Sequence, residues 1–274
     1  MDTSTILVAG ATGFLGSEIC SLLRAKKFQV KALVRTTSDP AKIKHLTDMG
    51  VSIVQGDLRN NEILHELLNG VTTVIISVSS IPFSYKAGEN DVHSVDETGM
   101  KSLIDASEAA GVKHFIYTSF SKNIDLDFPL RNAKRSVEQQ LRKSRMDYTI
   151  LRPGYFMELW LSPATGFDAL NGKVNICGTG TNPVAYISYK DVAKFAVESV
   201  SNRNSRNAIL ELGGPQNISP LDVVTIFEEV LHRKIEVQHI PVDGLLTQFN
   251  IADDQMQKSF SGLMICIASG DSIN

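Results

Sequence analysis

Three glycines in "LVAGATGFLGSEI", Gly10, Gly13 and Gly16, stand at intervals of three between an apolar run and an amphipathic one. Glycine there permits a tight turn, lets backbone N–H groups approach a pyrophosphate, and lets the next helix pack closely on the strand. That helix would open on N–H groups and the positive end of its dipole, a seat for an anion. Thr12, Phe14 and Leu15 belong to the same candidate loop. A second chemical signal is Arg35 in "ALVR", at the end of the next apolar run. A chain that takes NAD carries an acidic residue there for the ribose 2′-hydroxyl. Here no carboxylate follows until Asp39. A guanidinium can pair bidentately with a 2′-phosphate and stack on adenine, so the expected cofactor is NADP(H), with Lys42 or Lys44 able to assist. The alternative for Arg35 is a solvated surface arginine.

Positioning such a loop takes a parallel sheet, and the chain alternates the two hydrophobic periods that build one. "TILVAG", "QVKALVR", "VSIVQGD", "TTVIISVS", "HFIYTSF" and "YTILRPG" read as six apolar strands. Between them "GSEICSLLRAKK", "DPAKIKHLTDMG", "NEILHELLNG", "GMKSLIDASEAAG" and "AKRSVEQQLRKS" read as helices, several closed by a glycine. Apolar strands divided by amphipathic helices indicate an α/β fold: a Rossmann-type, doubly wound parallel sheet covered on both faces. The alternation fades after Pro153, and residues 155–186 show no period. "ISYKDVAKFAVESV" then restores a helix, "AILELGG" adds a strand expected on the same sheet, and "SPLDVVTIFEEVLHRK" reads as a helix capped by Ser219. The tail from Ile240 to Asn274 is mixed. The expected organisation is an NADP(H)-binding domain of residues 1–154 with 187–214, and a smaller discontinuous C-terminal lobe of 155–186 with 215–274 that binds substrate.

The 274 residues are 43% hydrophobic and 21% charged with a net charge of -3, an ordinary globular balance with length for a sizeable core. That balance argues against nucleic acid or an anionic membrane surface as the main partner. No stretch reaches the ~18 apolar residues of a membrane span, and the N-terminus lacks the basic region of a signal peptide. Cys20, Cys177 and Cys266 form no metal spacing, and their odd number speaks against a disulfide framework. They read as small core or boundary residues in a reducing compartment. The expectation is a cytoplasmic monomer or homodimer with a small-molecule substrate and no metal.

The spacing G-x-x-G-x-x-G resembles the short-chain dehydrogenase/reductase superfamily in its extended and atypical branches. "ALVR", "GDL", "SVSS", "YTS", "YTILRPGYFME" and "ISYKDVA" follow in order. Together they resemble the NmrA-like group of atypical members, which includes NADPH-dependent quinone reductases. The resemblance spans nearly the whole chain and implies roles for further residues. Asp57 and Leu58 match the adenine-edge contact, although Asp57 can equally cap the next helix. Ser77, Val78, Ser79 and Ser80 lie where the chain is expected to pass the nicotinamide ribose, or else form a local turn. The superfamily's Tyr-x-x-x-Lys pair supplies a proton from tyrosine and a ribose contact from lysine. Here "FPLRNAKRSVEQQL" holds the lysine, Lys134, but Leu130 occupies the tyrosine position. Lys134 can still bind two ribose hydroxyls, or be one solvated charge beside Arg135, Arg142 and Lys143. Ser119 matches the catalytic serine position, or bonds local backbone. Pro153, Tyr155 and Phe156 are expected beside the nicotinamide, with Tyr155 the remaining hydroxyl; either aromatic can instead be core.

Leu130 argues against ordinary ketone reduction through a tyrosine acid. A quinone tolerates that loss better, since hydride transfer to it leaves an oxyanion that is already delocalised. The implied function is therefore an NADPH-dependent oxidoreductase passing hydride to a quinone or another activated carbonyl or electrophilic small molecule. Imine, ene or diaryl-ether-type reduction stays open. The alternative is an NADP(H)-sensing regulatory protein without turnover. Trp160, Phe167, Phe260, Leu263 and Met264 either wall an apolar cleft or form the lobe's own core. His93, His114, His232 and His239 fall in or beside regular elements and read as surface or internally satisfied histidines.

Overall fold

The computed structural model describes residues 4–273. Up to Pro153 the chain alternates β1 (Thr5–Ala9), α1 (Phe14–Ala25), β2 (Gln29–Val34), α2 (Pro40–Asp48), β3 (Ser52–Gln55), α3 (Asn61–Leu67), β4 (Val71–Ile76), α4 (Met100–Ala109), β5 (His114–Thr118), α5 (Pro129–Lys143) and β6 (Asp147–Pro153). Then come β7 (Tyr155–Phe156), α6 (Met157–Trp160), β8 (Phe167–Asp168), β9 (Lys173–Cys177), β10 (Tyr186–Ile187), α7 (Tyr189–Ser201), β11 (Ala208–Leu212), α8 (Pro220–Leu231), β12 (Glu236–Ile240), α9 (Val242–Ile251) and α10 (Gln255–Ser269). Two compact units emerge among the described residues: 4–119, Asn132–Leu151 and Lys190–Leu210 form the first, and Phe120–Arg131, Arg152–Tyr189 and 211–273 the second.

Seven strands make one sheet in the order β11-β6-β5-β4-β1-β2-β3. β1 runs parallel to both β2 and β4, and β4, β5 and β6 continue in parallel. This is the expected doubly wound fold. Ile6, Leu7, Val8 and Ala9 of β1 are fully buried, as a parallel strand covered on both faces must be. The strand order reverses at β1, so the crevice beyond Ala9 and Ile76 is where such sheets bind ligands.

Two departures from the sequence reading bear on the site. The α5 helix begins at Pro129, four residues before "AKRSVEQQLRKS", because proline's fixed φ suits a first helical position. Leu130 therefore lies in the helix, one turn before Lys134. Ahead of α4 the chain makes a π-helical turn over Val92–Gly99, opened by a reciprocal cap between Asp91 and Ser94. Wider than 3.6 residues per turn, it leaves no helical period to read.

In the second unit, β9 pairs in parallel with β12 and antiparallel with β8, while β7 and β10 form a two-residue parallel pair. β7, β8 and β10 have two residues each, too short to show a period, and the five-residue β9 alone gives 155–186 too brief an alternation to stand out. Ser219 caps α8 through a reciprocal pair with Asp222. No helix among the described residues is long and apolar enough to cross a membrane.

His114, fully buried in β5, bonds Thr149 Oγ1 through Nε2 at 2.8 Å. Thr149 itself donates to the Ser205 carbonyl, so His114 Nε2 is the donor and Nδ1 has no hydrogen-bond partner among the described residues. Burial pushes the His114 pKa down to about 3. The unfolded chain then binds this proton first, and stability falls as pH drops below the free imidazole value. Between about pH 7 and about pH 5 the loss from this one group should be about 2 kcal/mol. Asp96 and Asp271, whose carboxyls burial raises, act in the opposite direction. Urea unfolding of His114→Gln at the two pH values should show a correspondingly shallower acid-side loss than the parent.

Candidate functional site

The glycine loop closes on the end of β4. Gly10 adopts φ +86°, and a Cβ there would lie 2.8 Å from Ser77 Oγ and 2.9 Å from the Ser77 carbonyl carbon. Gly13 donates to the Gly10 carbonyl at 3.0 Å. A Cβ on Gly16 would lie 2.2 Å from that same oxygen. Ser77 seals the other side, its N–H and Oγ both reaching the Ala9 carbonyl at 3.0 and 3.2 Å. α1 opens at Gly13 with no side-chain cap and no acidic residue in its first turn. This cradle fits a dinucleotide's pyrophosphate: positive helix dipole, uncapped terminus, and no Cβ in the way. Thr12 is half-buried and Leu15 buried, whereas Phe14 is exposed and meets the exposed Phe83 edge-on at 6.4 Å.

Arg35 leaves β2 half-buried and donates from Nη1 to Asn90 Oδ1 at 2.7 Å. Asp57, just past β3, is gripped by Arg59 through Nε at 2.9 Å and Nη2 at 2.6 Å. That pairing holds the Asp57 carboxyl below its usual range. Asn60, not Asp57, caps α3, which removes the capping role considered for Asp57. Leu58 is buried.

Behind the ends of β4 and β5 lies a buried polar cluster. Lys134 is only 4% exposed, so it is not a solvated charge. Its Nζ donates to the Thr118 carbonyl at 3.2 Å and stands 5.5 Å from the centre of the Tyr117 ring. Burial lowers its pKa, opposed by Asp96 and Glu138. Asp96, from the π-helical turn, accepts from the Ser80 N–H at 3.0 Å and the Ser80 hydroxyl at 2.5 Å. The Ser79 hydroxyl faces the same carboxylate and helps hold its pKa down, and the buried Thr118 hydroxyl has no hydrogen-bond partner among the described residues. Ser119 donates to Glu138, which also takes Arg135 Nη1 at 2.8 Å. Val78 packs on the hydrophobic core. Sequence reasoning missed Asp96, Glu138 and Asn90. Only Glu138 carried a signal, since it shares the face of Val137 and Leu141 in α5. Leu130 is buried and its N–H donates to Ser259 Oγ at 3.1 Å.

In the second unit Pro153 is buried and its carbonyl accepts from the Ser121 N–H at 2.9 Å. The Tyr155 hydroxyl, also buried, donates to the Leu263 carbonyl at 3.1 Å, and burial raises it well above the ordinary phenol value. Its ring meets Trp160 edge-on at 5.0 Å, and Trp160 stacks on Phe260 at 5.8 Å. Phe156 is half-buried. Trp160, Phe167, Phe260 and Met264 line a cavity of about 30 Å³ with Tyr186 and Ile267. Leu263 is buried. The thiols are also packing residues: burial raises Cys20 to about 12 and Cys177 to about 11.

The family model that matches the chain describes the NmrA-like family and covers residues 2–267. The chain belongs to the NmrA-like family. Among similar proteins, an NAD(P)H azoreductase of Xenophilus azovorans is 31% identical over 241 residues, 87% of this chain and 78% of the relative. The photosystem II assembly factor Ycf39 of Trieres chinensis is 29% identical over 240 residues, 87% of this chain and 72% of the relative. The fold matches that of an NADPH-dependent quinone oxidoreductase of Escherichia coli complexed with NADPH. That match has a TM-score of 0.77 at 23% identity, covering 96% of this chain and 89% of the other.

Proposed function

We propose that this NmrA-like protein is an NADPH-dependent oxidoreductase that passes hydride to a quinone or another activated electrophilic small molecule. The observation that carries the reading is the cradle of Gly10, Gly13 and Gly16 closed on Ser77, with an uncapped helix terminus beyond it. The azoreductase relative supports a redox role and widens the acceptor class to azo compounds. NADPH, when bound, supplies the hydride. Arg35 binds the 2′-phosphate, and Asp57, though paired to Arg59, keeps carboxylate lone pairs to accept from the adenine amino group. The reduced acceptor also needs a proton at oxygen or nitrogen. Lys134 is the group assigned to it, since burial loosens that ammonium's hold on its protons. No proton is assigned to Tyr155, whose hydroxyl is bonded to Leu263.

The test is NADPH consumption, followed by its absorbance, against a panel of quinones, azo dyes, enones, aldehydes and unactivated ketones. Quinones or azo dyes should turn over while unactivated ketones do not. Silence across the panel, with binding that discriminates NADP+ from NADPH, would overturn the enzyme reading in favour of an NADP(H)-sensing regulator. The assembly-factor relative is the observation on that side.

A further inference from the structure

We propose that Asn90 sets the cofactor preference by holding the Arg35 guanidinium with a neutral acceptor, so that its remaining edge stays charged, fixed and open to a 2′-phosphate. The inference rests on the NADP(H) reading above and concerns a residue outside the motifs that led to it. Two arginines stand at this end of the sheet, and their surroundings differ. Arg59 has Nε and Nη2 on the Asp57 carboxylate and Nη1 on the Glu89 carbonyl at 2.8 Å. Its charge is neutralised and each of those nitrogens is engaged. Arg35 gives only Nη1, to Asn90 Oδ1. Its Nε and Nη2 have no hydrogen-bond partner among the described residues. Those two nitrogens form the side of the guanidinium that pairs with a phosphate through two parallel bonds.

Asn90 is built to hold that side chain still. It is 7% exposed, and its Nδ2 donates to the Ser84 carbonyl at 2.6 Å and to Ser84 Oγ at 3.2 Å. That leaves Oδ1 as the end presented to Arg35. Its backbone is bridged to Lys86 in both directions, at 2.9 and 2.8 Å. Arg35 is anchored from its own side too, its N–H donating to Ser38 Oγ at 3.1 Å and its carbonyl accepting from the Ser38 N–H at 3.0 Å. A carboxylate at position 90 would hold the guanidinium equally well. It would also cancel the charge and repel the phosphate. The amide does the first without the second.

The experiment is calorimetric binding of NADP+, NAD+, 2′,5′-ADP and 5′-AMP to the parent, Asn90→Leu, Asn90→Asp and Arg35→Ala, each first checked for an unchanged thermal midpoint. Asn90→Leu should weaken NADP+ and 2′,5′-ADP by about tenfold while NAD+ and 5′-AMP stay within about twofold. Asn90→Asp, the closest replacement in shape, should lose about a hundredfold on the phosphorylated pair, with part of the loss recovered when salt is raised. If both Asn90 variants keep the parent's NADP+ to NAD+ ratio while Arg35→Ala collapses it, the role of Asn90 is overturned and the cofactor reading stands. If the Asn90 variants weaken all four ligands equally, Asn90 merely holds its loop and the inference is equally overturned. If Arg35→Ala leaves the ratio unchanged as well, the NADP(H) reading itself falls.

Discussion

Alanine at Gly16 will abolish dinucleotide binding and destabilise the first unit. The new Cβ would stand 2.2 Å from the Gly10 carbonyl oxygen, 2.6 Å from its carbon and 2.8 Å from Ser77 Oγ. The nearest of these are backbone atoms, and Gly10 has no room to retreat. It already adopts φ +86° with its own Cβ direction 2.9 Å from the Ser77 carbonyl carbon. Relief therefore requires lifting α1 off β1 or pushing the loop away from β4, and either opens the pyrophosphate cradle. Overpacking of a close-packed site costs about 1–3 kcal/mol, and a collision with backbone belongs at the top of that range. Gly13→Ala is the matched control, because its Cβ would meet only the Gly10 oxygen, at 3.3 Å. Urea unfolding should separate the two variants clearly, and calorimetry should find NADP+ binding in Gly13→Ala but not in Gly16→Ala. Binding by Gly16→Ala within about threefold of the parent would overturn the cradle as the pyrophosphate seat, since losing even one hydrogen-bonded contact changes affinity by about that much or more.

The turn made by the glycines and the place of Arg35 at the end of β2 were legible in the sequence because both are local features. A glycine triad between an apolar run and an amphipathic one, and a basic residue ending the next strand, each occupy a position that the fold class fixes. The sheet was legible for the same reason, down to β11, since continuous apolar runs divided by amphipathic helices admit few arrangements. What stayed hidden depends on contacts across long separations. Asn90 meets Arg35 from 55 residues away, and Glu138 meets Ser119 from 19. Neither distance leaves a period or a motif. Asp96 was hidden differently: it sits in a π-helical turn whose spacing matches no standard template. Asp57 shows the limit of local reasoning, because an acid before a helix suggests a cap, and only the fold reveals Arg59 closing on it while Asn60 does the capping.

Replacing Lys134 with methionine should cut turnover about 10²–10⁴-fold, the usual contribution of a positioned proton donor, while leaving the protein folded. Methionine keeps the length and packs against Tyr117, and Glu138 retains Arg135 at 2.8 Å. Asp96 is the residue exposed by the change, since Lys134 opposes the burial that raises its pKa. Without Lys134 it shifts further towards its neutral acid, which can keep the Ser80 bonds, so the stability cost should stay at about 1–3 kcal/mol rather than that of a stranded charge. The pH profile separates a proton donor from a merely structural lysine. Activity that needs the ammonium is lost as pH rises through the Lys134 pKa. Burial lowers that value, so the parent's turnover should begin to fall at a lower pH than a solvated lysine would dictate. Lys134→Arg, charged across the whole range, should lose this alkaline limb whatever its absolute rate. NADP+ affinity should change far less than turnover in Lys134→Met, because the groups proposed to hold the 2′-phosphate and the pyrophosphate, Arg35 and the glycine cradle, are other residues. A methionine variant that reduces quinones at the parent's rate would leave water as the proton source and Lys134 as a packing residue.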